Sequence, residues 1–179
     1  MMCPVLTPYL SLPLSGDQSS FRMSMAPACD SDGNPLWVTV AGIQKVLSFA
    51  CTAGRNGRPR MLVVDDEDGP RVSVQIVFRD QFDVLAVDSS ELALVACALR
   101  CFDIAISDIR RAGMSGLDCL EVMRRMGWNV PVLLLTAYAP HDRLRRALAL
   151  GASAVIHKPF AIQELRHAVA LALHTQPRK

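Results

Sequence analysis

Asp65, Asp66, Asp108, Thr136 and Lys158 each close an apolar run of strand type. The runs read Val63-Val64-Asp65-Asp66-Glu67, Ile106-Ser107-Asp108, Leu134-Leu135-Thr136-Ala137 and His157-Lys158-Pro159-Phe160. They are spaced by roughly one strand plus one helix, so in a parallel sheet their tips meet at one edge. Three carboxylates packed together repel, which favours protonation or a divalent cation. Few, hard oxygen ligands suit Mg²⁺, which keeps several waters and takes a phosphate oxygen into its shell. With a hydroxyl from Thr136 and an ammonium from Lys158, the set has the parts to accept a phosphoryl group on a carboxylate and neutralise its oxygens. Alone, each residue has an ordinary reading as a turn, a strand end or a surface charge. What sets them apart is their shared place in a repeating unit.

That unit is strand then helix. Met61–Val64, Val84–Val87, Ile104–Ser107, Val132–Leu135 and Ala154–His157 are the strand candidates. The first is continuously apolar, as expected for a strand covered on both faces. Helices are predicted from about Pro70 to Asp80 and from an Asp88-x-x-Glu91 capping box to about Arg100, with Leu92, Val95 and Leu99 on one side. A third follows a Ser115-x-x-Asp118 cap, a fourth runs from about Asp142 to Leu150 and closes at Gly151, and the last runs from about Ile162 to Leu173. Ile162, Leu165, Val169 and Leu173 are the expected inward residues of that last helix. Strict alternation implies an α/β fold, a five-stranded parallel sheet with about five helices on its two faces. If the strand order is 2-1-3-4-5, strands one and three adjoin where the winding reverses. A crevice then opens beyond their carboxyl ends.

Residues 61–174 carry 12 Lys+Arg and 14 Asp+Glu, a net of −2, while the flanks hold the positive surplus behind the overall +2. A weakly acidic core gives no electrostatic footprint for nucleic acid. The six cysteines (3, 29, 51, 97, 101 and 119) show no metal-ligand spacing. Cys97 and Cys101 lie one helical turn apart, which admits a redox pair, though small apolar residues on a buried helix face is the favoured reading. The expected compartment is a reducing cytoplasm. Pro4, Pro8 and Pro13 interrupt the apolar N-terminus, which lacks a basic start, and no uncharged stretch is long enough for a bilayer.

Residues 1–60 read as a largely irregular extension, of which 1–35 are rich in Pro, Ser, Met and Gly. Within it, Leu36, Val40, Ile43, Leu47 and Ala50 form one stripe of a short amphipathic helix over 36–51. Such a helix would dock or dimerise; a weak helix, or an extension upstream of a true start at Met61, are the plainer readings. Residues 52–60 are linker-like, and 175–179 are a basic tail too short to fold.

At these residues the chain resembles the receiver domain of bacterial two-component response regulators, over about Arg60 to His174. Leu62-Val63-Val64-Asp65-Asp66-Glu67 matches the family's first strand and acidic pair. Phe102 to Arg110, followed by Gly113-Met114-Ser115-Gly116-Leu117, matches the phosphoacceptor strand and loop. Leu135-Thr136-Ala137 matches the switch hydroxyl, and Gly151-Ala152 through Lys158-Pro159-Phe160 the lysine strand. The resemblance implies a flavodoxin-like, doubly wound sheet and an Asp108 that becomes an aspartyl phosphate. Mg²⁺ would be held by Asp66, by Asp65 through water, by Asp108 and by the backbone carbonyl of Arg110. Thr136 and Lys158 would hold the phosphoryl oxygens, and the Lys158–Pro159 peptide would be cis. The donor would be a phosphohistidine on a kinase or phosphotransfer protein. Output would pass by protein contact or phosphorelay, through a face formed by the fourth helix, fifth strand and last helix. Leu144, Leu148, Val155, Arg143, Arg145 and Arg146 are the candidate contacts there.

The chain departs from the family at two points: Val155 replaces an aromatic residue three positions before the lysine, and Ala112 replaces the loop proline. Bulky Arg110 and Tyr138, two residues beyond Asp108 and Thr136, flank the path of an attacking water. The expectation is a stand-alone switch and not a turnover enzyme. A pseudo-receiver without phosphate chemistry is one alternative. A Mg²⁺-dependent hydrolase with Asp108 as nucleophile is another, though Arg110 stands where such enzymes place a second acid. A Rossmann dehydrogenase is disfavoured because no GxGxxG follows the first strand.

Overall fold

Alternate residues of the first strand serve two different cores, and that division organises the molecule. Met61 and Val63 join one buried cluster while Leu62 and Val64 join another on the opposite face of the sheet. This is why the strand shows no polar alternation: both faces are covered. The computed structural model describes residues 40–52, 57–99, 102–110, 113–138 and 140–175. They belong to one unit, Val38–Lys179.

The strands are β1 (Arg60–Val64), β2 (Asp83–Val87), β3 (Ile104–Asp108), β4 (Val132–Thr136) and β5 (Ala154–His157). All neighbours pair in parallel in the order β2-β1-β3-β4-β5. The expected topology is therefore present, with each strand within one residue of its predicted bounds. The helices are α1 (Val40–Thr52), α2 (Asp68–Phe78), α3 (Ser90–Leu99), α4 (Gly116–Arg125), α5 (His141–Ala149) and α6 (Ile162–His174). Val74 and Phe78 of α2 and Leu165, Val169 and Ala172 of α6 cover one face of the sheet. Residues of α3 and α4, with Ala147 of α5, cover the other. Each large apolar side chain so buried contributes about 1.5–3 kcal/mol.

Several predicted helix details are corrected. α2 starts at Asp68, so Pro70 lies inside the first turn, where a missing N–H costs nothing. Ser89, rather than Asp88, caps α3: Leu92 N–H approaches its hydroxyl at 3.5 Å, and Asp88 is exposed. Ile162 opens α6 and is 53% exposed, so the inward face is Leu165, Val169 and Ala172, with half-buried Leu173 packed against the same cluster. The Ser115 cap of α4 is as expected, with Asp118 N–H donating to Ser115 Oγ at 3.2 Å. Gly151 closes α5 at φ 73°, a backbone angle that side chains disfavour.

α1 is the expected amphipathic helix; of its predicted stripe Ile43 faces the core and Leu47 does not, while the side chains of Val40 and Ala50 lie outside the described residues. Val46 is buried and Ile43 and Phe49 pack against the same core cluster, whereas Leu47 is 47% exposed. Leu36 lies outside the described residues. α1 packs on α3 and reaches β2, and the Phe49 ring stacks on Phe102 with centroids 6.1 Å apart. The extension thus contributes a helix to the core. Cys97 is half-buried and Cys119 buried, and Cys101 lies outside the described residues.

α4 and α5 are tied by two arginines. Arg124 donates to the carbonyls of Trp128, Gly151 and Leu150 at 2.7, 3.0 and 3.1 Å. Arg146 bridges Asp118 at 2.9 Å and Glu121 at 2.6 Å. Burial raises the Asp118 carboxyl, but hydrogen bonds from Ser115 and Arg146 and the Arg146 charge outweigh it and hold it below its ordinary range.

Candidate functional site

Parallel pairing sets the carboxyl ends of β1, β3 and β4 side by side: Val64 pairs with Ser107, and Asp108 with Leu135. The residues that follow or end these strands therefore share one rim. Lys158 leaves β5 at the same level, and its N–H donates to the Thr136 carbonyl at 2.7 Å. The Lys158–Pro159 peptide is cis.

Lys158 joins the acidic residues into a single cluster. Its Nζ donates to Asp108 Oδ2 at 2.7 Å and to Asp65 Oδ2 at 3.1 Å, although Asp65 lies 93 positions away in sequence. Both carboxylates are almost entirely buried, with side chains 3% and 7% exposed for Asp65 and Asp108. Burial lowers the Lys158 pKa, but the hydrogen bonds and charges of Asp108 and Asp65 more than offset that and raise it above the ordinary lysine value. One ammonium faces two carboxylates here, and Asp66, next in the chain after Asp65, is exposed.

Local backbone geometry fixes both buried acids. Asp108 Oδ1 accepts Arg110 N–H at 3.1 Å. Asp65 N–H donates to the Val87 carbonyl at 3.2 Å, and Asp65 Oδ1 accepts Glu67 N–H at 2.9 Å. Thr136 is fully buried and its Oγ1 accepts Tyr138 N–H at 3.2 Å. Tyr138 is 66% exposed, and the Arg110 side chain also faces solvent. Ala112 lies outside the described residues.

Two further residues shape the site: Gly116, quoted from sequence only as part of the loop motif, and Arg71, which the sequence reading did not single out. Gly116 N–H donates to the Ile109 carbonyl at 3.1 Å. A side chain on Gly116 would collide with the Asp108 carbonyl oxygen and sit 3.0 Å from the Asp108 carbonyl carbon. Only glycine lets α4 start this close to the end of β3. Arg71 holds the backbone where β1 ends, and its i,i+3 spacing from Asp68 was the available signal.

Among the described residues, no three His, Cys, Asp or Glu side chains stand together as a ready metal cage. Mg²⁺ needs one or two carboxylates, and water, a carbonyl and a phosphate oxygen complete its shell.

The face formed by α5, β5 and α6 carries 65%-exposed Leu148 and half-buried Leu144. Val155 is half-buried and packs against the core cluster beneath α5. Of the arginines on α5, Arg145 pairs with Asp142 and Arg146 is committed to α4, while Arg143 is exposed.

Over residues 61–170 the chain matches the response regulator receiver domain family. It is 36% identical over 121 residues to regulatory protein AtoC of Escherichia coli K12, which covers 67% of this chain and 26% of that protein. It is 31% identical over 111 residues to sporulation initiation phosphotransferase F of Bacillus subtilis, covering 62% of this chain and 90% of that one. Among solved structures it resembles chemotaxis response regulator CheY4 of Vibrio cholerae, at 25% identity and TM-score 0.60, covering 65% of this chain and 99% of that one. A receiver domain protein from Clostridium thermocellum is similar at 27% identity and TM-score 0.61, with 65% and 94% covered. The chain belongs to the response regulator receiver domain family. Receiver domains signal by phosphorylation, are generally Mg²⁺-dependent, and interact with histidine kinases or phosphotransfer proteins. The chain spans about a quarter of AtoC and of the response regulator protein FleR, 26% and 24% of their lengths. No helix among the described residues is long and apolar enough to cross a membrane.

Proposed function

We propose that Asp108 is the phosphoacceptor of a cytoplasmic, Mg²⁺-dependent receiver spanning residues 61–174, with 1–60 as an extension and 175–179 as a tail. The observation that carries this reading is the Lys158 ammonium, which reaches both Asp108 and Asp65. A carboxylate oxygen of Asp108 attacks the phosphorus of a phosphohistidine on a kinase or phosphotransfer protein. The P–N bond breaks, the imidazole leaves and takes up a proton, and an acyl phosphate remains on Asp108. Lys158 already touches the attacking group and neutralises charge on the incoming oxygens, and the Thr136 hydroxyl supplies a second donor once it turns toward them. Asp66, Asp65 through water, Asp108 and the Arg110 carbonyl would hold Mg²⁺. When bound, that ion supplies positive charge to the transferring phosphoryl oxygens.

The phosphorylated form signals through protein contact or onward relay, using the face of α5, β5 and α6. With Val155 in place of an aromatic side chain, this face cannot report by a ring movement beside β5.

The test uses the full chain with Mg²⁺ and a small-molecule phosphoryl donor, comparing intact masses of wild type and Asp108→Ala. The expected result is the gain of one phosphoryl group, dependent on Mg²⁺ and absent in the variant. Uptake that persists in Asp108→Ala, or no uptake at all, overturns the proposal. Multiple turnover of phosphate esters would point to a hydrolase instead.

A further inference from the structure

We infer that Arg71 is a positioning residue for the acidic pair, clamping the turn that aims Asp66. This deepens the reading of Asp65 and Asp66 as the Mg²⁺-holding residues and rests on it.

Arg71 lies in the first turns of α2 and its side chain is only 14% exposed. Nη1 donates to the Asp65 carbonyl at 2.6 Å, and Nη2 pairs with the Asp68 carboxylate. The guanidinium therefore joins the residue after β1 to the first residue of α2. Between these two anchors lie Asp66 and Glu67.

The rest of Asp65 is already fixed. Its N–H is held by Val87, its Oδ1 by Glu67 and its Oδ2 by Lys158. Arg71 takes the remaining polar atom, the carbonyl, which starts the peptide leading into Asp66. With both ends of that short turn held, the backbone from which the exposed Asp66 side chain projects is fixed in place.

Charge alone gives no reason for a cation at this place. A second positive group beside the acidic pair opposes a divalent ion, and Lys158 is already there. Geometry does give one. A planar guanidinium spans two acceptors in a fixed fork, whereas an ammonium is a single point charge on a flexible stem. Substitution therefore separates the two roles by the sign of its effect: lost charge tightens Mg²⁺ binding, lost positioning weakens it.

The experiment titrates full-length wild type, Arg71→Gln and Arg71→Lys with Mg²⁺ alone by calorimetry. In parallel, amide hydrogen exchange at Glu67 is measured without metal. The expected result is about tenfold weaker Mg²⁺ binding in Arg71→Gln, the usual scale for losing an outer partner of a metal ligand. Arg71→Lys should weaken binding as well despite its unchanged charge, and Glu67 N–H should exchange faster in both variants. If Arg71→Gln folds poorly, Arg71→Lys carries the test by itself. Mg²⁺ binding as tight as wild type or tighter, with Glu67 exchange unchanged, overturns the inference. A wild type that takes up no Mg²⁺ defeats the metal-site reading. The exchange data then decide the clamp separately: unchanged Glu67 exchange overturns it, and faster exchange supports it.

Discussion

Lys158→Met removes the cation of the acidic cluster while keeping a side chain of similar reach. Its Nζ lies 2.7 Å from Asp108 and 3.1 Å from Asp65, whose carboxylates are 7% and 3% exposed. Removing one member of a buried, hydrogen-bonded charge set costs about 3–5 kcal/mol, because the remaining charges stay buried without compensation. The Lys158 side chain is 19% exposed, so water can enter behind the substitution and the lower end of that range applies. For a chain of this size about 3 kcal/mol lowers the melting temperature by roughly 6–12 °C. Mg²⁺ should restore much of that. In the wild type the ammonium competes for the same oxygens, and in the variant it does not, so the variant binds the ion more tightly. At a hundredfold over the dissociation constant, bound ligand stabilises by about 2.7 kcal/mol. Thermal unfolding followed by circular dichroism, with and without MgCl₂, reads both effects. An unchanged melting temperature in Lys158→Met, or an equal Mg²⁺-induced rise in both proteins, would refute the reasoning.

Other substitutions test other parts of the account. Gly116→Ala should destabilise by about 1–3 kcal/mol and slow phosphoryl uptake, because the new methyl meets backbone atoms of Asp108 and Ile109; denaturant midpoints and initial uptake rates measure the two. Val46→Ala should cost about 2 kcal/mol if α1 is docked as seen, with Val46 1% exposed, and an unchanged urea midpoint would mean α1 does not pack in solution. Tyr138→Ala should speed loss of the phosphoryl group from Asp108 by up to about tenfold, equivalent to roughly 1.4 kcal/mol of barrier; a time course of the phosphorylated mass checks it. Asp118 is held below its ordinary range by Ser115 and Arg146, despite burial, so its contribution to stability is present above about pH 4 and is lost as pH falls through the folded value. The stability difference between wild type and Asp118→Asn should thus be flat from about pH 5 to 8 and shrink below about pH 4, read from urea midpoints across a pH series.

The sheet was legible in the sequence because five apolar runs of strand length alternate with helical patterns, and parallel strands buried on both faces leave no competing pattern. The acidic pair, Asp108, Thr136 and Lys158 were legible as strand ends, since that position depends only on where each run stops. Helix starts were less so. Asp88 and Ser89 are both good caps, and only the tertiary packing of α3 selects Ser89. That α1 buries Val46 and not Leu47 was hidden because the two are equally apolar, and the choice between them is made by α3. A clue existed in α3 itself. Leu94, Val95 and Cys97 continue its apolar surface around the helix, a pattern that calls for cover on more than one side. The close approach of Gly116 to Asp108 and the reach of Arg71 to the Asp65 carbonyl left little trace, because both are contacts to backbone atoms whose positions the sequence does not spell out.

The most direct measurement of the central claim is the chemical location of the phosphoryl group. After phosphorylation in Mg²⁺, borohydride reduction of the acyl phosphate converts the modified aspartate to a homoserine residue, which peptide mass mapping can place. The account predicts homoserine at Asp108 and unmodified side chains at Asp65 and Asp66. A modified residue at any other position, with Asp108 intact, would contradict it.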